Sequence, residues 1–196
     1  MYSVLEIITE WEQNSDPTRT LDFFGMYLRK LPHLPTHVQS LNCRENCLKK
    51  LANPLPAGLV NLFCAGNRLS CLPSLPIHLK ILFCSNNRLV SLPPLPFGLN
   101  SLYCWNNRLR TLGPLPDTLI TLHCWGNDLL IIPDTWPKNL VSCVLSNADH
   151  KHTWQHSWRC MVFKKHASAR AQCVLALKNQ GTLKMTFRIC TILSFV

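Results

Sequence analysis

Five times between Leu41 and Leu129 the chain repeats the pattern Leu-x-Cys-x-x-Asn-x-Leu, mostly at a 20-residue period. The copies are LNCRENCL from Leu41, LFCAGNRL from Leu62, LFCSNNRL from Leu82, LYCWNNRL from Leu102 and LHCWGNDL from Leu122. Between them run LPHLP (Leu31), LPSLP (Leu72) and LPPLP (Leu92), with LANPLP (Leu51) and LGPLP (Leu112) as variants. A unit this short cannot bury its own apolar side, so a fixed period in this range dictates coils stacked into a solenoid.

The residues of the unit follow from stacking. A short parallel strand per coil turns alternate residues inward, so Leu and Cys share the core side and the residue between them points out. Cys43, Cys64, Cys84, Cys104 and Cys124 then serve as small buried hydrophobes. Asn46, Asn67, Asn87, Asn107 and Asn127 fall where each strand turns away. There an amide can satisfy backbone groups of neighbouring coils, as a buried ladder. Proline fixes φ and donates no hydrogen bond, so LPxLP predicts an extended, unpaired back to each coil, with little room for a helix.

Composition narrows the setting. A hydrophobic fraction of 47% and a mean hydropathy of +0.06 fit a folded core. The chain has 11 Cys, but a column on parallel rungs seldom cross-links and an odd number leaves a thiol over, so the reading is reduced thiols in an intracellular reducing compartment. MYSVLEIITEWEQ lacks a basic leader segment, and no apolar run approaches the ~18 residues of a membrane span. The net charge of +10 is uneven: residues 148–196 hold eight Lys/Arg against Asp149 alone.

Three segments are expected: an N-terminal helical cap (1–20), the repeat solenoid (21–147) and a basic C-terminal extension (148–196). Ser3 and Glu6 match a capping box, and Val4, Leu5, Ile7, Ile8 and Trp11 form an apolar stripe over a short helix at 3–14. Leu21–Leu28 reads as a degenerate first coil, with Leu21 and Phe23 inward and Met26 in place of Asn. A degenerate last coil places Leu140, Cys143 and Leu145 inward. Beyond it a helix is expected from Trp154 to about Asn179, then a strand over Thr182–Thr191.

The 20-residue spacing, LPxLP and Leu-x-x-Asn-x-Leu together resemble the bacterial class of leucine-rich repeats, best known from host-directed effectors of the YopM and IpaH type. A Trp-bearing helical piece before an opening coil, here Leu21-Asp22-Phe23-Phe24-Gly25, is shared with them, and the Cys-bearing version is similar to repeats of environmental bacteria and large DNA viruses. The resemblance spans about residues 1–147. It implies a solenoid with a short parallel β-sheet on the concave face and an extended, Pro-rich convex back, with a helical cap before it; the tail is read as helical and basic. The IpaH type continues into a ubiquitin-ligase domain with a catalytic Cys-x-Asp. Here Cys160, Cys173 and Cys190 are followed two residues on by Val162, Leu175 and Ile192, so that activity does not carry over.

Function is left to the outward positions. Between Leu and Cys stand Asn42, Phe63, Phe83, Tyr103 and His123, and after Cys stand Arg44, Ala65, Ser85, Trp105 and Trp125. Side by side on strands ~4.8 Å apart, these make an aromatic ridge, and an apolar surface patch usually marks a partner site. Stacking alone, or a tail folded over the rings, would account for them too. Arg68, Arg88 and Arg108 flank the ridge, with Asp128 in the last copy. His152, His156 and Cys160 would share a helix face at metal-ligand spacing, but an amphipathic face explains them as well. No phosphate-binding glycine motif and no catalytic grouping occurs. The expectation is a monomeric, non-enzymatic scaffold without cofactor or metal. It would bind a protein or peptide through Phe63, Phe83, Tyr103, Trp105, His123, Trp125, Arg88 and Arg108. The alternative is nucleic-acid association through the basic tail.

Overall fold

The computed structural model describes residues 3–14, 16, 18–129, 131, 133, 135–144 and 160–162. Helix α1 (Val4–Gln13) opens the chain on the expected capping box: Ser3 Oγ accepts from the Glu6 N–H at 3.2 Å and the Glu6 carboxylate from the Ser3 N–H at 2.6 Å. Trp11 anchors it. Its indole N–H donates to the Arg19 carbonyl at 2.9 Å, and its ring lies 5.0 Å from that of His37. The apolar stripe is narrower than its sequence suggests. Trp11 alone is buried and Leu5 is 75% exposed, because the helix packs at the end of the sheet along a single line beside the first strand.

Seven parallel strands follow, one per coil: β1 (Thr20–Asp22), β2 (Ser40–Asn42), β3 (Asn61–Phe63), β4 (Ile81–Phe83), β5 (Ser101–Tyr103), β6 (Thr121–His123) and β7 (Ser142–Val144). The register aligns Leu21, Leu41, Leu62, Leu82, Leu102 and Leu122 with Cys143, each fully buried. The Cys column behind them is equally buried from Cys43 to Cys124, as is Phe23 in the opening coil. A third inward column (Val38, Leu59, Leu79, Leu99, Leu119, Leu140) comes from the backs of the coils. Each of these residues closes a Pro-x-x-Leu-type turn by donating its N–H to the proline carbonyl, as Leu99 does to Pro96 at 3.0 Å. Proline suits the first place of such a turn, since it lends a carbonyl and needs no partner.

The Asn column forms the expected ladder. Asn87 Nδ2 donates to the carbonyls of Cys64 (3.0 Å), Cys84 (3.1 Å) and Ser85 (3.1 Å), while its Oδ1 accepts from the Leu69 N–H at 2.9 Å. Asn46, Asn67, Asn107 and Asn127 repeat this pattern of one bond back and one within the coil. The residue just before each Asn is left-handed: Glu45, Gly66, Asn86, Asn106 and Gly126, with φ between 51° and 68°. This single twist swings the chain off the sheet, which is why Gly or Asn recurs there.

At the far end the structure departs from the sequence expectation. Cys160–Val162 forms a strand, β8, antiparallel to β7, so the helix expected from Trp154 to about Asn179 does not run through this stretch. The last parallel strand leaves a row of unpaired backbone groups, and a strand satisfies that edge where a helix cannot. Cys160 therefore does not extend a helical face with His152 and His156; those two residues, Leu145, and the strand expected at Thr182–Thr191 lie outside the described residues. Among the described residues no helix is long and apolar enough to cross a membrane.

Candidate binding surface

The outer side of the sheet changes character along its length. At its first coils it is polar: Thr20 and Ser40 share a hydroxyl bond of 2.8 Å, Asn42 Nδ2 donates to Asp22 at 2.9 Å, and Asn42 Oδ1 accepts from Arg44 Nε at 3.0 Å. The Arg44 guanidinium then lies over two rings, 5.6 Å from the centre of Phe24 and 5.5 Å from that of Phe63. Such cation–π contacts are worth about 0.5–1 kcal/mol at partly exposed sites.

From Phe83 onward the rings form one connected cluster. Trp105 is its hub, T-shaped to Phe83 at 4.9 Å and to Tyr103 at 5.9 Å, 6.4 Å from His123, and stacked on Trp125 at 5.9 Å with 6° between planes. Phe83 and Tyr103 pack at 5.0 Å, Tyr103 and His123 at 5.2 Å. His123 bonds Ser142 Oγ at 3.1 Å, and burial pushes its pKa below the ordinary 6.5. The expected ridge residues Phe83, Tyr103, Trp105, His123 and Trp125 are thus half-buried, because they cover one another, and Phe63 is half-buried beneath Arg44. Ala65 and Ser85 occupy the Trp105 position in the two preceding coils and are buried. The Ser85 hydroxyl is enclosed there with no hydrogen-bond partner.

Arg88 and Arg108 stand apart from this cluster. The left-handed turn and the ladder Asn separate them from the strands, their side chains are exposed, and they lie over no ring among the described residues. The cation that does is Arg44. Its place in the outward column after Cys was visible in the sequence, but its reach across to Phe63 depends on a side-chain direction that spacing does not encode.

Four of the inward thiols are held protonated. Burial pushes Cys43 up to about 12 and holds Cys64 and Cys84 well above the usual thiol range; the neighbouring Cys124 thiol and burial do the same for Cys104. A thiol kept protonated neither attacks nor ligates readily. Cys43, Cys47, Cys64, Cys71, Cys84, Cys104 and Cys124 are free thiols, with Cys71 exposed and Cys47 half-buried. No group of three or more His, Cys, Asp or Glu that could hold a metal occurs among the described residues.

A parallel strand per coil, an Asn ladder and a helical cap define a leucine-rich-repeat protein. Solved relatives share the fold and part of the sequence. The Shigella effector leucine-rich-repeat domain is 32% identical with a TM-score of 0.64, covering 67% of this chain and 59% of its own. YopM of Yersinia pestis, a leucine-rich effector protein, is 28% identical with a TM-score of 0.59, over 74% of this chain and 54% of its own. YopM of Yersinia enterocolitica is 29% identical with a TM-score of 0.52, over 62% of this chain and 30% of its own. The chain thus spans between about a third and three-fifths of the length of these relatives. No protein-family model and no curated protein sequence matches it.

Proposed function

We propose that this leucine-rich-repeat protein is a non-enzymatic scaffold that binds a protein or peptide on the outer face of its sheet, at the aromatic cluster. One observation carries the reading: Phe83, Tyr103, Trp105, His123 and Trp125 are joined ring to ring on a backbone fixed by strand pairing on both sides. A binding surface gains from such rigidity, since ring orientation is settled before the partner arrives. Trp and Tyr also supply much contact area for few rotatable bonds. Arg44 and Phe63 extend the surface toward the first coils. The relatives are bacterial effectors, so a partner in a host cell's reducing cytoplasm is the setting proposed.

The test is comparative capture of host-cell proteins by the wild type and by W105A/W125A, with far-UV circular dichroism confirming the fold of both. Proteins retained by the wild type should be lost on the variant. For a purified partner, one of the two single substitutions should weaken binding at least ~30-fold, as expected of a hot spot of ~2 kcal/mol. An identical set of proteins on both baits would refute the assignment.

A further inference from the structure

Across the left-handed turn from the aromatic cluster runs a second surface of a different kind. The residues on either side of the Leu that closes each of these turns (Leu28, Leu48, Leu69, Leu89 and Leu109) are strongly basic. The first two coils place Arg29, Lys30, Lys49 and Lys50 just after that Leu, all exposed. The next three coils place Arg68, Arg88 and Arg108 just before it, with Arg110 just after Leu109. Asp128, one coil further, is the single acid among the described residues of this rim.

Two features separate this row from an ordinary solvated face. First, its charges are unanswered. None of these side chains makes an ion pair or a hydrogen bond among the described residues, where an ion pair joins Arg19 to Glu10 at 3.0 Å in the cap. Like charges held on adjacent coils repel, a cost that opposes stacking. Second, the row is held in register. The Arg68 N–H donates to the Leu48 carbonyl, Arg88 to Leu69 and Arg108 to Leu89, each at 2.9 Å, so these three coils present their arginine at the same place, which Cys47 holds in the coil before them. With coils ~4.8 Å apart, the three arginines form a file about 10 Å long, which Lys49, Lys50, Arg29 and Lys30 prolong as a basic rim toward the first coils.

We infer that this basic rim is a binding site for the phosphate backbone of nucleic acid, independent of the aromatic cluster. The match is one of shape as well as sign. A linear polyanion carries charge at regular intervals along its whole length, about one per 1.7 Å of duplex axis. The acidic surface of a folded protein interrupts its charges with cations, and a membrane presents a plane rather than a line. Arginine dominates the later coils, and its planar fork suits phosphate oxygens. The contact is sequence-independent, since nothing on the rim is placed to read base edges.

The experiment measures fluorescence anisotropy of a labelled short DNA duplex with the full chain, over a salt series of about 50–200 mM. Wild type should bind with a steep log–log salt dependence. R68A/R88A/R108A should bind at least ~10-fold more weakly at low salt, with its slope smaller by about 3, near one for each phosphate no longer neutralised. W105A/W125A should bind the duplex as wild type does, whatever it does to protein capture. Absence of wild-type binding, or affinity and slope unchanged in a folded R68A/R88A/R108A, would overturn the inference. The second outcome would assign nucleic-acid binding to cations outside the Arg68–Arg88–Arg108 file. Competition by poly-glutamate or phosphatidylserine vesicles as effective as that by unlabelled duplex at equal charge would also overturn it, in favour of an acidic protein or a lipid surface.

Discussion

Asn87→Ala tests the ladder because its consequences are countable. The substitution removes the sole acceptor of the Leu69 N–H, a group on a fully buried residue. Orphaning such a donor costs about 1–3 kcal/mol. The carbonyls fare better. Cys64 keeps the Nδ2 of Asn67, Cys84 keeps that of Asn107, and Ser85 keeps the Gly66 N–H. Each of the two Cys carbonyls therefore loses one of two donors, at about 0.5–1.5 kcal/mol net. The sum is roughly 2–6 kcal/mol, a large share of the ~5–15 kcal/mol of a typical domain. Urea unfolding followed by circular dichroism measures it, with exposed Arg88→Ala as a neighbour expected to stay within about 0.5 kcal/mol. Asn87→Asp adds a second arm. It keeps the acceptor for Leu69 but aims an oxygen at the Cys64 and Cys84 carbonyls, so it should destabilise at least as much as Ala. A loss below ~0.5 kcal/mol for Asn87→Ala would mean the half-buried amide is dispensable, and the ladder argument fails.

Three further outcomes follow from the same geometry. In native thiol labelling mapped by peptide mass spectrometry, Cys71 should react quickly while Cys43, Cys64, Cys84 and Cys104 stay protected, since they are buried and held protonated; rapid modification of Cys84 would contradict the register. Gly66→Ala should cost at least ~1 kcal/mol, because Gly66 has φ +65° and a Cβ there would run into the Glu45 carboxylate; Glu45→Ala should restore only the part due to the clash, which a double-mutant cycle of melting curves would resolve. Burial lowers the His123 pKa below 6.5, so as pH falls through 6.5 the unfolded chain takes up the proton first and stability declines until the folded value is reached. Melting temperatures should therefore drop less on acidification in His123→Gln than in the wild type, and equal drops would discount the histidine.

How much of this was legible follows the logic of each residue's constraint. The Leu and Cys columns and the Asn ladder are dictated by stacking itself, so a periodic sequence displays them directly. Leu21, Phe23, Leu140 and Cys143 were readable even in degenerate coils, because inward positions must stay apolar. The left-handed column was half-visible: Gly66 and Gly126 announce it, whereas Glu45 and Asn106 adopt it without being glycine. The ridge residues could be named, but their half-burial could not, since ring-on-ring contact depends on rotamers. Strand β8 was missed because the capping of a sheet edge is a demand of the fold, and leaves no period in the sequence around Cys160.

The bonding between coils carries a consequence for how such a chain can change. Each junction in the middle of the stack asks for the same things: a Leu opposite a Leu, an Asn reaching one carbonyl back, a backbone N–H returned to the preceding coil. A duplicated segment of residues 82–101 would meet those demands at both of its borders and leave every older coil with its original neighbours in kind. Copying is therefore cheaper than point change as a way to enlarge this molecule. Its outer surface lengthens by one rung at a time, each new rung arriving with a Phe83-like ring and an Arg88-like charge that later substitutions are free to rewrite.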